Sequence, residues 1–222
     1  AWTVQSQDTA VDRIVTRHKI TFVMTLPKRY VDEIRAMKEV KCATFMNWFG
    51  GKDPNHDKVF FSAIACDAAT LFDVYDDIRT APEQKKLFIE ERQGALVGEK
   101  LMKELGWELG QTVTLKSQIF PGDWQFRIVG TYVAGRKSVD PRQFFFHWDV
   151  LNERLRPRMK DQIGWIAARV APGASAVKTS IAIDQAFESN DVQTLSQDER
   201  AFMQSFMAMF DAVLKALDIV SI

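Results

Sequence analysis

Residues 196–222 read SQDERAFMQSFMAMFDAVLKALDIVSI, and this stretch decides how we expect the chain to be organised. Ser196 and Glu199 have the spacing of a capping box, in which a serine starts a helix and a glutamate three residues later supports it. The helix predicted from this start runs to the end of the sequence. One face carries an apolar stripe spaced by four and three residues, formed by Phe202, Phe206, Met209, Val213, Ala216 and Val220.

The predicted helix becomes more apolar towards its end, where the charged residues after Phe202 are Asp211, Lys215 and Asp218. A helix on a domain surface usually keeps a polar back and ends at a glycine or a polar tail. Residues 219–222 (IVSI) supply neither. We therefore expect residues 196–222 to form a stalk helix that leads towards a transmembrane segment, so that the chain is an excised domain.

Composition sets limits on the class of protein. The chain has 222 residues, of which 46% are hydrophobic and 26% are charged, values typical of a soluble globular protein with one large or two small domains. Its 29 basic residues balance 29 acidic ones. Because such a chain has no overall positive field to attract phosphate backbones, we do not expect nucleic acid as a partner.

The order of strand-like and helix-like segments predicts an α+β fold. The opening pattern is strand, helix, strand, strand over residues 18–26 (HKITFVMTL), 28–40, 41–49 and 58–66. The closing pattern is strand, helix, strand over residues 164–170, 175–187 and 191–195. Short strands and turns lie between. The simplest interpretation is one β-α-β layer domain interrupted by a smaller β-rich insertion.

The predicted hairpin of residues 41–49 and 58–66 raises two questions that the sequence leaves open. If the hairpin folds about position 54, Cys42 faces Cys66 across the pair, and the two are either disulfide-bonded or buried free thiols. Trp48 and Phe49 precede the loop at its end. Their rings form either an aromatic tip that contacts a partner or a cover over the sheet.

No catalytic, cofactor-binding or metal-binding motif is found in the sequence. His56 lies in a loop with Asp53 and Asp57, but a metal site needs three or four converging ligands, so we expect a solvated loop. His147 and Asp149 have a spacing that could orient an imidazole as a base, which would suit a secreted hydrolase. No nucleophile accompanies them, and their aromatic neighbours favour packing.

Several segments in order resemble the MacB-like periplasmic core domain of bacterial ABC-transporter permeases, the class that includes lipoprotein-releasing and FtsX-like permeases. These segments are residues 18–26, 48–51 (WFGG), 71–75 (LFDVY), 96–101 (LVGEKL), 105–115 (LGWELGQTVTL), 120–126 (FPGDWQF) and 202–209. Each is degenerate alone, and their order and spacing carry the resemblance. The sequence departs from the macrolide-exporter and lipoprotein-release branches at residues 120–124 and 144–148.

The resemblance implies a layout between two transmembrane helices. Residues 1–17 would be a lead-in from the first, residues 18–74 and 162–200 a porter-like subdomain, residues 75–161 the inserted β-rich subdomain, and residues 196–222 a stalk towards the second. It also implies a periplasmic location in an inner-membrane protein. The implied partners are a second permease chain, a cytoplasmic ATPase subunit, and a periplasmic adaptor or substrate.

The function implied by the resemblance is non-catalytic transmission of ATP-driven movement to the outer side of the membrane. Coupling of this kind needs an element with two states, and paired stalk helices would supply it. We expect Phe202, Phe206, Met209 and Val213 to lie at a helix–helix interface, with packing on their own layer as the alternative. The alternative function is a periplasmic ligand- or peptide-binding module with an apolar groove near Trp124 and Trp165.

Overall fold

The computed structural model describes residues 12–136 and 139–220, with side chains as far as Met209. The strands in these residues are β1 (Arg13–His18), β2 (Leu26–Pro27), β3 (Val40–Trp48), β4 (Gly51–Lys52), β5 (Ser62–Cys66), β6 (Ile78–Arg79), β7 (Gly94–Gly98), β8 (Thr112–Ser117), β9 (Asp123–Ala134), β10 (Gln143–His147), β11 (Gln162–Ile163), β12 (Trp165–Val170) and β13 (Thr194–Asp198). The α-helices are α1 (Arg29–Arg35), α2 (Leu71–Val74), α3 (Pro82–Glu90), α4 (Glu99–Leu105), α5 (Trp148–Arg154), α6 (Ala176–Ala186) and α7 (Glu199–Val220).

One large mixed sheet organises the fold. Its strand order is β13-β1-β12-β3-β5-β10-β7-β9-β8-β4, and β6 pairs with β9 beside this path. The β10–β5 and β7–β9 pairs are parallel, and the other pairs along the sheet are antiparallel. The α+β class predicted from the sequence is confirmed.

Both faces of the sheet are buried by helices. On one face, Tyr30 and Ile34 of α1 and Ile183 of α6 join a core cluster with Ile14 of β1. On the other, residues of α2, α3 and α7 join a second cluster with Val15 of β1. Neighbouring residues of a strand point to opposite faces, so β1 must be apolar on both sides.

The first strand lies earlier than the sequence predicted. β1 covers Arg13–His18, whereas residues 19–25 are irregular, and Ile20 and Val23 are nearly four-fifths exposed. The prediction of a strand over residues 18–26 is therefore wrong. β1 lies between β12 and β13, and its buried Arg13 disguises the apolar pattern that marks a central strand. Of the predicted lead-in, residues 1–11 lie outside the described part of the chain.

The predicted register of the hairpin is also wrong. Cys66 of β5 pairs with Met46, four positions along β3 from Cys42, and Cys42 instead faces Arg169 of β12. At about 3.3 Å per residue, this offset separates the two cysteines by about 13 Å along the strand. Both cysteines are free thiols. The error arises because the connection between β3 and β5 is not a simple turn. It contains β4 and a 3-10 helix (Pro54–His56), both of which follow β3 and shift the pairing with β5.

The far half of the sheet closes on itself. β3 and β4 belong to one segment of the chain, in which Phe49 and Gly50 lie between the two strands. This segment pairs with β5 through β3 and through the 3.0 Å bond from Phe49 N to Ala63 O, and with β8 through β4. The circuit continues through β10, β7 and β9, so the strands form a small barrel. Gly50 has a φ of 63°, a conformation that favours glycine, where the segment changes partner.

The barrel takes strands from both sides of the boundary that the sequence predicts at residues 74 and 75. β4 and β5 lie before it, and β7 to β10 lie after it. We call the strands β13, β1, β12 and β3, with the helices packed on them, the layer. β3 joins the barrel to the layer without a break in hydrogen bonding, because it pairs with β12 on one side and with β5 on the other. The division into an interrupted layer and an inserted subdomain thus stays a prediction.

Phe49 lies inside the barrel and is fully buried. Its ring centroid is 5.3 Å from that of Trp124, 5.1 Å from that of Phe146 and 5.8 Å from that of Phe120. Alanines at positions 63, 65 and 95 leave space for these rings. Phe49 therefore cannot be part of an exposed aromatic tip. Trp48 is half-buried.

We predict that Phe49→Ala lowers the free energy of unfolding by about 3–5 kcal/mol, because it leaves a cavity among rings that cannot easily close it. Urea denaturation followed by circular dichroism measures this loss. Phe60→Ala is the matched control, since Phe60 is 51% exposed and its removal should cost less than about 1 kcal/mol. Equal losses in the two variants would contradict the central position of Phe49.

Candidate functional site

The start of α7 is fixed by a residue that differs from the predicted one. Asp198 Oδ1 accepts a 2.9 Å hydrogen bond from Ala201 N, which makes Asp198 the helix cap. Ser196 lies in β13, and its hydroxyl donates to Asp184 Oδ1 at 2.8 Å. The predicted capping box is therefore wrong. Pairing of β13 with β1 extends through Asp198, so the helix can begin only at Glu199.

A buried charge cluster lies at this helix start. The guanidinium of Arg13, which is fully buried, donates to both carboxylate oxygens of Asp77 at 2.9 and 2.8 Å. Its Nη2 also lies 2.7 Å from Glu199 Oε2, and its Nη1 donates to Val74 O at 3.2 Å. The ring of Tyr75 stacks 4.2 Å from the guanidinium carbon. Arg13 thereby joins β1, the segment after α2, and α7.

Two carboxylates share the guanidinium of Arg13, and their pKa values move in opposite directions. Burial raises the pKa of Glu199, and the charge of Arg13 offsets this only in part. Burial also acts to raise the pKa of Asp77, but the bidentate hydrogen bonds and charge of Arg13 lower it overall. Burial, together with the charge of Glu199, raises the pKa of the Tyr75 hydroxyl. The ionised Arg13–Asp77 pair is thus the stable core of the cluster.

An aromatic cluster holds the next turns of α7 against the layer. Phe202 is buried, with its ring centroid 5.6 Å from Trp165 and 5.3 Å from Phe22. One turn later, the ring of Phe206 lies 5.7 Å from Phe22, 5.4 Å from Trp48 and 6.2 Å from Trp165. Phe22 comes from the irregular segment of residues 19–25. Tilted and edge-on ring pairs at these distances stabilise packing beyond the area that they bury.

A cleft of about 510 Å³ opens beside this aromatic cluster. Its apolar wall is formed by Phe22, Trp48, Ile119, Phe120, Leu155, Met159, Trp165, Phe206 and Met209. Asn47, Gln162, Thr25 and Arg158 add polar groups. The cleft is therefore bounded on one side by α7 and on the others by the layer, the turn between β8 and β9, and the segment after α5.

The structure brings together part of the set predicted for the stalk. Phe202 packs within its own layer, Phe206 and Met209 line the cleft, and the side chain of Val213 lies outside the described residues. Reasoning from the sequence missed Arg13, whose partners are distant in the chain. It also missed Phe22, which it had placed in a strand. The available signal was an arginine directly before the β-branched residues Ile14, Val15 and Thr16.

The histidines singled out from the sequence have structural partners. His56 Nδ1 lies 2.6 Å from Asp53 Oδ2, which ties the loop to a buried carboxylate. Among the side chains that the structure describes, no three of His, Cys, Asp or Glu lie where they could hold a metal ion. His147 is buried, and its Nε2 donates to the carbonyl of Phe88, which holds the ring in the core.

Comparison with known proteins identifies the family. The family described as the MacB-like periplasmic core domain matches residues 3–186. Among solved structures, the periplasmic region of MacB from Actinobacillus actinomycetemcomitans superposes with a TM-score of 0.62 at 10% identity, and the match covers 91% of this chain and 96% of that one. No curated protein matches the sequence.

Two further structures share this fold. The extracellular domain of YknZ, a noncanonic ABC-type transporter from Gram-positive bacteria, gives a TM-score of 0.59 at 10% identity, covering 84% of this chain and 98% of that one. A domain of a putative permease protein from Porphyromonas gingivalis gives 0.56 at 11% identity, covering 85% and 90%. The fold is that of extracytoplasmic domains of ABC-type permeases. The chain belongs to the family of MacB-like periplasmic core domains.

Both the family and the location that the sequence resemblance implied are thus confirmed. The domain is a periplasmic part of an ABC-transporter permease. Where its helices are described, none is long and apolar enough to cross a membrane.

We predict that Arg13→Met lowers the free energy of unfolding at pH 7 by about 3–5 kcal/mol, because Asp77 and Glu199 would lose the buried cation that they share. Urea denaturation at several pH values measures the effect. Without Arg13, the pKa of Glu199 rises further above that of the unfolded chain, and the pKa of Asp77 loses the main cause that lowers it. The folded variant then binds more protons, so the contribution of Glu199 to stability is greatest at low pH and is lost as pH rises through its raised pKa.

The loss caused by Arg13→Met should therefore shrink between pH 7 and about pH 5. Arg29→Met is the matched control, because Arg29 is exposed and lies 3.8 Å from the exposed Glu33, a pair that contributes less than about 1 kcal/mol. A loss at pH 7 no larger than that of the control would contradict the role of the cluster.

Proposed function

We propose that this domain transmits ATP-driven movement of the membrane part of a permease to a substrate or partner in the periplasm. The observation that carries the proposal is the way in which α7 is attached. Its first residue joins the buried charge cluster, and its first two turns join the aromatic cluster. The helix then extends to Val220, about 33 Å in all.

Attachment at two points makes α7 suitable as a lever. A buried ion pair cannot lengthen without exposing uncompensated charge to a medium of low polarity, which is costly. Packed aromatic rings likewise resist small displacements. A force that moves the far end of α7 would therefore turn the whole layer instead of sliding the helix over it.

The partners in this proposal are those expected of a permease. The stalk would lead to a transmembrane helix, a second permease chain would pair with the first, and a cytoplasmic ATPase subunit would drive them. Beyond the membrane, a periplasmic adaptor or the substrate would receive the movement. In this scheme Phe202 and Phe206 fix α7 to the layer, whereas Met209 and Val213 are proposed to lie nearer the interface between paired stalks.

We predict that Ala208→Pro in the full transporter abolishes transport while ATP hydrolysis continues. Ala208 is exposed on α7, beyond the turns held by Phe202 and Phe206. Proline removes a backbone hydrogen bond and kinks the helix, at a cost of about 3 kcal/mol, so movement would no longer reach the layer. Transport and ATPase assays on the same preparation, reconstituted in liposomes, measure the two activities.

Ala208→Ser is the matched control, since serine keeps the helical hydrogen bond, and it should retain both activities. Thermal unfolding of the purified 222-residue chain carrying each substitution would show whether the layer remains folded. Normal transport by the proline variant, with the layer intact, would contradict transmission through α7.

A second function, ligand binding, is favoured by the cleft beside α7. An apolar groove near Trp165 is what the sequence analysis named as support for a binding module, and Trp165 lines this cleft. Trp124, the other residue named there, belongs to the barrel core instead. Apolar clefts of this size with a few polar groups are the usual form of small-molecule sites.

A further inference from the structure

We propose that the cleft beside α7 binds an anionic amphiphile, that is, a molecule with an apolar chain or ring body and one negatively charged head group. The inference rests on the second proposed function, ligand binding, and specifies the class of ligand. Three features of the described residues carry it: the apolar wall, a side-chain amide without a protein partner that opens onto the cleft, and the sign of the charge at the cleft.

The wall of the cleft suits an apolar body. Trp48, Trp165, Phe120 and Phe206 present ring surfaces to the cleft, and Met209 presents a flexible thioether chain. The volume of about 510 Å³ lies within the range of sites for small organic ligands. Transfer of an alkyl chain into such a cleft is favourable by about 0.8 kcal/mol for each buried methylene group.

Asn47 supplies an unsatisfied polar group at the cleft. Its residue is only 6% exposed, it lines the cleft, and its side-chain amide makes no hydrogen bond to any residue in the described part of the chain. The polar atoms of the amide are themselves open to solvent, so they can form hydrogen bonds with a molecule in the cleft. Gly164 lies against it: a Cβ there would come within 2.9 Å of Asn47 Oδ1. The absence of a side chain at Gly164 therefore leaves room for this amide at the wall of the cleft.

The charge at the cleft is positive. Among the lining residues, Arg158 carries the one formal charge, and its guanidinium forms no ion pair with any residue that the structure describes. The exposed Arg156 and Lys160 flank it in sequence, whereas the nearby Glu153 is paired with Arg92. The side-chain oxygen of Gln162 accepts a 3.0 Å hydrogen bond from Thr25 Oγ1. Its amide nitrogen therefore points away from Thr25 and can act as a donor. Because Arg158 and the amide nitrogen of Gln162 offer hydrogen-bond donors to the cleft, they favour a ligand with an anionic head group.

Occupation of the cleft would also involve α7 directly. Phe206 and Met209 form one side of it, and Phe206 is part of the aromatic cluster that holds the helix. A ligand seated there would contact both α7 and the layer. Its binding would therefore favour one position of the helix relative to the layer, which links the ligand to the proposed movement.

The experiment uses the purified 222-residue chain and three probes of equal chain length, all below their micelle-forming concentrations: dodecanoate, dodecanol and dodecyltrimethylammonium. Isothermal titration calorimetry measures each affinity. We expect dodecanoate to bind about tenfold or more tightly than dodecanol, as a hydrogen-bonded charge would produce, and the cationic probe to bind most weakly.

Substitutions test the assignment of the head group. Arg158→Gln should lower the affinity for dodecanoate to that for dodecanol and leave the affinity for dodecanol unchanged. Since Arg158 is exposed, the fold should not depend on it. Lys103→Gln is the matched control: Lys103 is an exposed cation on α4 that does not line the cleft, and its loss should change no affinity.

The place of binding is tested by fluorescence. Undecanoate brominated at its chain end quenches tryptophans that it touches, so it should quench the emission of the chain, and Trp48→Phe should remove part of that quenching. Binding of dodecanoate without quenching that depends on Trp48 would overturn the assignment to this cleft.

The remaining outcomes separate the ligand class from the proposed functions. Equal binding of all three probes at the cleft would overturn the anionic class but leave ligand binding in place. No binding of any probe would overturn both, without touching the lever role, which the transport assay tests. Binding to phosphatidylglycerol vesicles but not to monomeric dodecanoate would also overturn the proposal, and would indicate that this face docks on a lipid surface.

Discussion

The buried guanidinium of Arg13 is the interaction on which the arrangement of α7 depends. It connects β1 to Asp77, 64 residues away, and to the first residue of the helix. A shift of α7 by one residue would take the buried carboxylate of Glu199 out of reach of Arg13, which is costly. Because Glu199 shares Arg13 with Asp77, burial dominates at Glu199 and raises its pKa. The charge cluster therefore fixes the position of α7 more than it adds to the free energy of unfolding.

The aromatic cluster adds a second point of attachment and so fixes a direction. One contact at Glu199 would leave the helix free to pivot, but rings packed at Phe202 and Phe206 remove that freedom. The third contribution comes from Phe22, in a segment whose other large side chains, Ile20 and Val23, are exposed. Of these three contributions to the attachment of α7, the one from residues 19–25 is the least stable, because that segment has few buried contacts. The attachment would loosen there first.

The sequence predicted those features that depend on local periodicity. The helix over residues 175–187, the strand over 164–170 and the apolar stripe of the last helix all correspond to α6, β12 and α7. What it could not predict depends on distant parts of the chain. Arg13 looked like a polar residue outside a strand because its partners lie far along the sequence. The register of β3 and β5 depends on the change of partner at Gly50, which closes a barrel that no local pattern encodes.

The misplaced first strand and the cleft have one cause. Residues 19–25 contain β-branched and aromatic residues that are typical of a strand, yet Ile20 and Val23 face solvent while Phe22 turns inward to meet Phe206. The same contact is one wall of the cleft. A molecule that binds there more tightly in one position of α7 stabilises that position, and by reciprocity a movement of α7 away from it lowers the affinity for the molecule. A domain built in this way could therefore couple release of a ligand to movement of the helix without a separate hinge.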